Sequence, residues 1–593
     1  MCASDLTLPH NNKSPIKMQA PTPTSSGLTD YRLADFTTLP AALDYAALGA
    51  SGMNFYTGKG DLSECLPYRL LREQALAIAQ QFLAQGLRPG DRVALIAATD
   101  GDFARGFFGC VYADLVPTTL PLPAAFGGRE AYVAHIRHML EMADVSAALA
   151  PVALTEWLAQ AAEGMALKYV GTLAAMPTTK NMVTLPTAAE DDFCYLQFSS
   201  GSTRFPLGVA VTHKALMANV RGIARDGLKI GPADRCTCWL PMYHDMGLVG
   251  FLLTPLVCQI SVDLFATRDF ARRPLLWLEL ITRNGGTLSY SPTFGYELCA
   301  RRAQTASIEA LDLSRWRGAG IGGDMVRPEP LANFAARFAP QGFKASAFVP
   351  SYGMAETALA LSFAPAQQGI LSERLDMDVL EHDQRAVPAS EKTVRAREFV
   401  RCGPALPLHT VEVRSENGEV LADRQIGRLF ARGPSLMHSY FGQPAATAAV
   451  LSADGWLDTG DLGYLSSGQI VVTGRAKDLI IINGRNLWPQ DLEWTAEHEV
   501  VALRSGDVAA VAVDDGGNER IVVLVEHRPL DAAGREVLCK EISGVLRLRH
   551  GVETQVVIVP PRFLPRTSSG KLSRAKAKAL YLQGLIKTDA PAA

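Results

Sequence analysis

Short apolar runs alternate with stretches of helical periodicity along most of the 593-residue chain. Residues 92–96 form an apolar run after the turn-forming residues 88–91, and this pattern predicts a buried strand. Residues 69–85 place apolar side chains at helical spacing and end beside Gly86, which predicts a helix with a glycine at its C-terminal end. Strands that alternate with helices in this way indicate an α/β fold.

A loop rich in serine and glycine connects a predicted strand at residues 193–198 with a predicted helix at residues 213–220. Small residues let backbone N–H groups approach an anion closely, and hydroxyl groups add further donors. The loop lacks the Gly-Lys-Ser/Thr sequence of a P-loop NTPase, so it predicts a nucleotide-triphosphate site of another type. An ordinary surface loop is the alternative. The residues concerned are Ser199, Ser200, Gly201, Ser202 and Thr203.

A domain boundary is predicted near residue 476. The apolar runs and helical patterns on either side of it lie at residues 468–474, 509–513, 521–525, 536–548 and 556–559. Helical spacing continues beyond about residue 575, where lysines predict a solvated face. The predicted organisation is a flexible tail at 1–28, a large domain at 29–475 and a small domain at 476–593.

The composition points to a soluble globular protein. Hydrophobic residues make up 48% of the chain and charged residues 20%, and the net charge of −3 argues against a nucleic-acid-binding surface. The ten cysteines are scattered, as expected for reduced thiols in the cytoplasm, and Cys236 and Cys238 are interpreted as structural. The N-terminus lacks the apolar segment of a signal peptide, and the apolar run at 248–257 is too short to span a bilayer. We therefore expect a buried helix there and no membrane insertion.

Two further motifs carry residues suited to nucleotide chemistry. Glu356 follows a glycine-containing turn and is suited to Mg²⁺, which prefers carboxylate and phosphate oxygens, with a surface glutamate as the alternative. Asp461 stands in a glycine-flanked turn, an arrangement that suits ribose hydroxyls. The turn before Glu356 consists of Ser351, Tyr352, Gly353 and Met354.

Three cations stand near the predicted domain boundary and the C-terminus. Arg475 and Lys477 directly precede a predicted buried strand at residues 479–482, at the boundary, where solvated capping is the alternative interpretation. Lys571 lies on a Gly/Ser-rich turn, from which a mobile cation can move onto charge that develops at a phosphoryl centre.

These motifs, in this order, resemble those of the adenylate-forming superfamily, which includes acyl-CoA synthetases, peptide-synthetase adenylation domains and fatty acyl-AMP ligases. The resemblance covers about residues 30–580. It implies an α/β fold with a large multi-subdomain N-terminal adenylating domain and a small, mobile α+β C-terminal domain. It also implies ATP and Mg²⁺ as cofactors.

The resemblance implies a role for each candidate residue. The Ser199–Gly208 loop would bind the triphosphate, Glu356 would serve Mg²⁺, and Lys571 would orient the carboxylate and the α-phosphate. Lys477 would be the hinge about which the small domain rotates. The implied ATP-binding residues are Ser199, Ser200, Gly201, Ser202, Thr203, Gly323, Ser351, Tyr352 (against adenine), Gly353, Met354, Asp461 (on ribose) and Arg475 (on ribose and phosphates).

Finer features resemble fatty acyl-AMP ligases, notably residues 107–113 and 239–248. Leu207 stands where acyl-CoA synthetases usually carry a lysine. Residues at about 363–400 resemble the insertion that packs against the small domain in these ligases and hinders the rotation needed for CoA, with an ordinary surface connection as the alternative. Two motifs differ from the sequences usual in the family, at residues 322–325 and 293–296. The first difference leaves the adenine-side contacts open, and the second leaves the chain-length preference open.

The implied reaction is attack of a fatty carboxylate on ATP, followed by transfer of the acyl group to the phosphopantetheine thiol of an acyl carrier protein for lipid, polyketide or lipopeptide biosynthesis. His244 would lie near the acyl carboxylate and the acceptor entrance, or be a structural histidine. The alternative enzyme is an acyl-CoA synthetase. A silent acyl-binding protein is a third possibility, against which the joint presence of Glu356, Asp461, Arg475 and Lys571 speaks.

Overall fold

The computed structural model describes residues 30–123, 128–180, 182–199, 206–482, 485–514, 519–566 and 571–584. The predicted tail at 1–28 lies outside the described residues. So do four candidate binding residues of the predicted phosphate loop, namely Ser200, Gly201, Ser202 and Thr203.

Helices occur throughout the described chain. In chain order they are α1 Leu39–Ala46, α2 Tyr68–Ala84, α3 Gly101–Tyr112, α4 Gly128–Met142, α5 Thr155–Ala161, α6 His213–Arg221, α7 Asp245–Gly247, α8 Thr254–Val257, α9 Thr267–Arg272, α10 Leu275–Asn284, α11 Thr293–Arg302, α12 Pro328–Phe338, α13 Met377–Asp383, α14 Pro444–Val450, α15 Pro489–Glu499, α16 Ala532–His550 and α17 Arg574–Leu582. Two π-helical turns, Gly222–Gly227 and Leu248–Leu253, continue α6 and α7. Short 3₁₀ turns include Ala355–Thr357 and Ala476–Asp478.

Strands lie between these helices along the described chain. They are β1 Gly52–Tyr56, β2 Leu62–Pro67, β3 Arg92–Ile96, β4 Val116–Leu120, β5 Val145–Leu149, β6 Tyr169–Gly171, β7 Phe193–Phe198, β8 Gly208–Thr212, β9 Arg235–Cys238, β10 Ser261–Phe265, β11 Leu288–Ser291, β12 Gly318–Ile321, β13 Phe348–Gly353, β14 Ala360–Phe363, β15 Ser372–Asp376, β16 Ala396–Val400, β17 Thr410–Arg414, β18 Gly427–Arg432, β19 Ser439–Tyr440, β20 Leu457–Ser466, β21 Gln469–Arg475, β22 Ile480–Ile482, β23 Arg485–Leu487, β24 Val508–Asp514, β25 Glu519–Glu526 and β26 Thr554–Val559.

Two large, mostly parallel sheets form the body of the molecule. Their strand orders are β19-β8-β7-β4-β3-β5-β6 and β14-β13-β12-β11-β9-β10-β1-β2. The strands β1 and β4 are buried at every position, as expected where helices cover both faces of a parallel sheet. The antiparallel sheet β17-β18-β20-β21 follows in sequence and places Asp461 opposite Arg475.

The C-terminal unit, by which we mean β22 to α17, is built on the three-stranded sheet β24-β25-β26. Alternate residues of β24 face opposite sides of this sheet. Val508 and Ala510 pack with residues of α15 and α16, whereas Ala509 and Val511 pack on the side that holds Ala577 of α17. The sheet is therefore covered on both faces, and α17 fixes the segment that carries Lys571.

The segment between Glu356 and the antiparallel sheet is ordered. It forms the β15–β16 hairpin with α13 between its strands, and we call residues 372–400 the inserted segment. Leu375 and Leu380 of this segment are fully buried in a cluster that includes Trp488 of the C-terminal unit. The insertion is thus a packed unit, not a loose surface connection.

The α/β fold predicted from the alternating pattern is confirmed. The predicted helix at 69–85 is α2, after which Gly86 takes a φ of +81°. The helix predicted at 536–548 extends to Ala532–His550, because Asp531 accepts a hydrogen bond from the Gly534 N–H and caps its N-terminus. The buried helix at 248–257 is a π-helical turn followed by α8.

Two local predictions were wrong. Asp461 lies within β20 and not in a turn, because it pairs with Arg475 of β21. Gly460, with a φ of +73°, lies where the register of the β18–β20 pair shifts, so the strand is irregular there but continues. Ile481 is 53% exposed, whereas a buried strand was expected; the β22–β23 ribbon has only two strands and leaves this side chain open. Every described cysteine is a free thiol, and within the described ranges no helix is both long and apolar enough to cross a bilayer.

Candidate active site

A cavity of about 690 Å³ is lined by residues from the large sheets, the antiparallel sheet and the C-terminal unit. Every candidate residue that the structure describes lies on its wall. These residues are Ser199, His244, Gly323, Ser351, Tyr352, Gly353, Met354, Glu356, Asp461, Arg475, Lys477 and Lys571. The fold therefore gathers, at one place, motifs that are separated by up to several hundred residues in the sequence.

The base of the predicted phosphate loop closes the β7–β8 hairpin. The Ser199 N–H donates to the Leu207 carbonyl oxygen at 2.8 Å, and the Leu207 N–H donates to the Ser199 hydroxyl at 3.2 Å. These two hydrogen bonds fix both ends of the loop at the cavity wall.

Tyr352, Asp461 and Arg475 form a connected polar group. The Tyr352 hydroxyl donates to Asp461 Oδ2 at 2.8 Å, and Arg475 Nε lies 3.4 Å from Asp461 Oδ1. Burial raises the pKa of Asp461 and the positive charge of Arg475 opposes that rise. The carboxylate of Asp461 raises the pKa of Arg475 in turn. Gly353 brings this strand close to β14, since a Cβ there would lie 1.9 Å from the Leu359 carbonyl oxygen.

Glu356 lies in the 3₁₀ turn after β13 and accepts a hydrogen bond from the Tyr440 hydroxyl at 2.8 Å. Burial raises the pKa of Glu356, and the Tyr440 hydrogen bond acts in the opposite direction. A single carboxylate on the same cavity wall as the base of the predicted phosphate loop fits Mg²⁺, which is usually bound by one or two carboxylates together with substrate phosphates. Tyr440 is 84 residues away in sequence and lies in β19, so no local pattern could have predicted this contact.

His244 lies at the N-terminal end of α7, with its Nδ1 atom 2.5 Å from Asp245 Oδ1. Although burial acts to raise the pKa of Asp245, the neighbouring charges of His244 and Lys571 and the hydrogen bond from His244 lower it. The next residue, Met246, packs beneath Gly323, where a Cβ would lie 2.7 Å from its terminal methyl group. His244 is thus held at the cavity wall by an acidic neighbour.

Lys571 reaches from the C-terminal unit to the large-domain segment at residues 322–325. Its Nζ atom lies 4.0 Å from the position that a Cβ on Gly323 would take, and Gly323 has a φ of +80°. Burial lowers the pKa of Lys571, and the carboxylate of Asp324 opposes this effect. A cation from one unit therefore meets the glycine turn of the other.

Arg574 was missed by the sequence reasoning, although it follows Lys571 by only three residues. It lies at the start of α17, with Nη2 2.6 Å from Glu493 Oε2 and Nη1 3.1 Å from Asp478 Oδ2. Glu493 belongs to α15 and Asp478 to the 3₁₀ turn that follows Arg475. Arg574 thereby ties the segment that carries Lys571 to the turn between the two units.

Two buried ion pairs, which we call the bridging ion pairs, join the inserted segment to the C-terminal unit. Glu381 of α13 is 1% exposed and accepts from Arg485 of β23 at 2.7 Å, while Arg395 of the inserted segment also donates to it at 3.0 Å. Arg397 of β16 pairs with Asp491 of α15. Burial raises the pKa of Asp491 to about 6, against the effect of Arg397.

The sequence pattern of AMP-binding enzymes matches residues 55–441. The chain belongs to the AMP-binding enzyme family. A protein of Caulobacter vibrioides named "Putative acyl-CoA synthetase" is 55% identical over 95% of this chain and 98% of its own. The medium-chain-fatty-acid–[acyl-carrier-protein] ligase JamA of Moorena producens is 31% identical over 93% and 96%. A structure from work on fatty acyl-adenylate ligases of E. coli and L. pneumophila has a TM-score of 0.89 and 44% identity, covering 94% of this chain and 100% of that one.

Membership of the AMP-binding enzyme family and the structural match confirm two of the predictions. The chain has the fold of the adenylate-forming enzymes, and it is an ATP-dependent acid ligase. The roles of the individual residues remain predictions, and the cavity shows only that these residues lie together.

Proposed function

We propose that this AMP-binding enzyme activates a fatty acid as its acyl-adenylate and then transfers the acyl group to the phosphopantetheine thiol of a carrier protein. The observation that carries the first step is the two-part cavity. One part is lined by Tyr352, Glu356, Asp461 and Arg475, and the other continues between apolar side chains. The apolar side chains include Ile223, Leu228, Ile230, Phe251 and Leu288. Such a shape suits a charged nucleotide joined to an alkyl chain.

In the adenylation step a carboxylate oxygen attacks the α-phosphorus of ATP, the bond to the β-phosphate oxygen breaks, and pyrophosphate leaves. A carboxylate is already deprotonated, so the protein has no proton to remove and acts through alignment and charge. Lys571 and Arg475 supply positive charge at the reacting phosphate, and Asp461 holds the ribose. Glu356 would hold Mg²⁺, which would neutralise charge on the phosphates.

The choice of a carrier protein as acceptor is supported by the inserted segment. The bridging ion pairs hold the C-terminal unit in the arrangement in which Lys571 reaches the cavity. The name of JamA, an acyl-carrier-protein ligase, agrees with this choice, and the structure of a fatty acyl-adenylate ligase agrees with the adenylation step. The name of the Caulobacter relative favours CoA instead, so a CoA-dependent synthetase is the second candidate.

Mass spectrometry of the purified enzyme with ATP, Mg²⁺ and a panel of fatty acids tests the proposal. We expect acyl-AMP and pyrophosphate to form only when a fatty acid is present. A holo carrier protein added afterwards should become acylated, whereas addition of CoA should give little acyl-CoA thioester. Rapid acyl-CoA formation would establish the second candidate, and pyrophosphate release that does not depend on fatty acid would refute adenylation of fatty acids altogether.

Replacing Tyr440 with phenylalanine is expected to raise the Mg²⁺ concentration needed for half-maximal activity about 10- to 100-fold, because one hydrogen bond to a charged acceptor is lost. The pKa of Glu356 should rise further, so Glu356 becomes protonated at a higher pH. Activity should therefore be lost earlier as the pH falls. Pyrophosphate release, titrated against Mg²⁺ and pH, measures both effects.

Tyr464→Phe is the matched control. Its hydroxyl also donates to a carboxylate, Glu373, at 2.8 Å, but neither residue lines the cavity. Tyr464→Phe should leave the Mg²⁺ dependence unchanged. Equal shifts in the two variants would contradict the assignment of Glu356 to the metal.

A further inference from the structure

The apolar part of the cavity follows the strands β11 and β12 downward from the nucleotide residues. In the sheet register Leu288 pairs with Gly318, and Tyr290 pairs with Gly320, so the four residues share one face. A Cβ on Gly320 would lie 1.8 Å from the Tyr290 ring, and one on Gly318 would lie 2.7 Å from Leu288 Cδ2. The two large side chains therefore lean over the glycines and shape one wall of the cavity.

The two π-helical turns also line the apolar part of the cavity. Ile223 lies in the first turn, and Gly250 and Phe251 lie in the second, and all three line the cavity. A π-helical turn holds more residues than an α-helical turn and frequently occurs at functional sites. Both turns contribute to the apolar wall, next to the strands just described.

The lower end of this apolar part is closed by Leu228, Ile230, Cys236 and Leu288, each of which is at most 7% exposed. Cys236 and Leu288 are partners in the sheet register. In the described chain these side chains therefore form an apolar floor, which we define by these four residues.

A charged layer lies directly beneath the floor. Arg317 donates to the carbonyl oxygens of Leu228 and Lys229 at 2.9 and 3.0 Å and forms an ion pair with Asp234. Asp234 also accepts from the Thr287 hydroxyl at 2.7 Å. The floor cannot move down without breaking these contacts, so the depth of the apolar part is fixed.

We propose that the floor limits the substrate to an acyl chain of medium length, with Leu288 as the main length-determining residue. This inference rests on the proposed fatty-acid adenylation. Gly318 pairs with Leu288 and therefore lies at the level of the floor, whereas Gly322 lies at the nucleotide end of the cavity. The two glycines are four residues apart, so the distance from the nucleotide end to the floor is about 13 Å at about 3.3 Å per residue. An extended chain covers about 1.2 Å per bond, so about ten to twelve carbons fill this depth.

The activity of the wild-type enzyme against chain length tests the inference. Each methylene buried above the floor should raise kcat/KM about fourfold. Beyond about twelve carbons the chain must displace the floor, and kcat/KM should fall at least about tenfold by sixteen carbons because overpacking a rigid wall is unfavourable. Equal activity on acids of about twelve to eighteen carbons would overturn the inference. Absence of pyrophosphate release with every acid would instead refute the proposed function.

Leu288→Ala should move the optimum to acids about two or three carbons longer, because the floor recedes by the length of the leucine side chain. Leu280→Ala is the matched control: Leu280 of α10 is as buried as Leu288 but does not line the cavity, so the optimum should not move.

Cys236→Leu raises the floor and should shorten the optimum by about two carbons. This second variant keeps the inference testable if Leu288→Ala does not fold. An unchanged chain-length profile in a folded variant at either position would contradict the role of the floor.

Discussion

Replacing Lys571 with methionine is expected to lower acyl-adenylate formation about 100- to 1000-fold, the scale of losing one preorganised charge donor. Methionine keeps most of the length and volume of the side chain but removes its charge. The Lys571 ammonium group reaches the Gly323 turn inside the cavity, beside the residues expected to hold the nucleotide. No general base is needed for a carboxylate nucleophile, so charge at the reacting phosphate is the main contribution left to the protein.

Acid-dependent pyrophosphate release measures the effect of Lys571→Met, and its pH dependence gives a second readout. Burial lowers the pKa of Lys571, and a lysine is charged only below its pKa. Wild-type activity should therefore decline, as the pH rises, earlier than the ordinary pKa of lysine would predict. The methionine variant should lack this alkaline decline.

Lys576→Met is the control for Lys571→Met, because Lys576 is an exposed lysine on α17 that does not line the cavity. It should retain near-wild-type activity. Comparable losses in the two variants, or an alkaline decline that persists in Lys571→Met, would show that the charge of Lys571 is not what the reaction uses.

Local sequence was sufficient to predict most of the candidate residues. Small hydroxyl residues after a strand, a carboxylate after a glycine turn and a lysine on a Gly/Ser turn each carry their chemistry within a few positions. This is why Ser199, Glu356 and Lys571 could be predicted from the sequence alone. The strands and helices of the large sheets were equally predictable, since their apolar periodicity follows directly from burial.

Contacts between distant segments were not predictable. Tyr440 and Glu356 are 84 residues apart, and Arg485 and Glu381 are 104 residues apart. The strand position of Asp461 depends on its pairing with Arg475 of β21, which local propensity does not decide. The floor of the apolar part likewise depends on sheet register and on Arg317, whose importance appears only once the carbonyl groups of Leu228 and Lys229 are placed beside it.

The bridging ion pairs lead to the second large expected effect, on the choice of acceptor. Acyl transfer is expected to require rotation of the C-terminal unit, so that Lys571 leaves the cavity. A ligand shifts such an equilibrium only by its difference in affinity for the two states. A folded carrier protein offers a surface that can bind the rotated state and so stabilise it. CoA is small and therefore offers less surface to stabilise that state. Strong bridging contacts should therefore exclude CoA more than they exclude a carrier protein.

Arg485→Ala is expected to raise CoA-dependent thioester formation at least about tenfold while adenylation stays within about threefold of wild type. The substitution removes one bridging ion pair but leaves Glu381 paired with Arg395, so no buried carboxylate loses every partner. Hydrogen bonds between charged groups contribute about 2 kcal/mol, which corresponds to about 30-fold in the population of the rotated state. Thioester formation with CoA and with a holo carrier protein, measured in parallel with pyrophosphate release, gives the comparison.

Arg547→Ala is the control, because Arg547 is exposed and pairs with Glu553 inside the C-terminal unit. If Arg485→Ala leaves CoA use at the wild-type level while adenylation persists, the bridging ion pairs do not decide the acceptor.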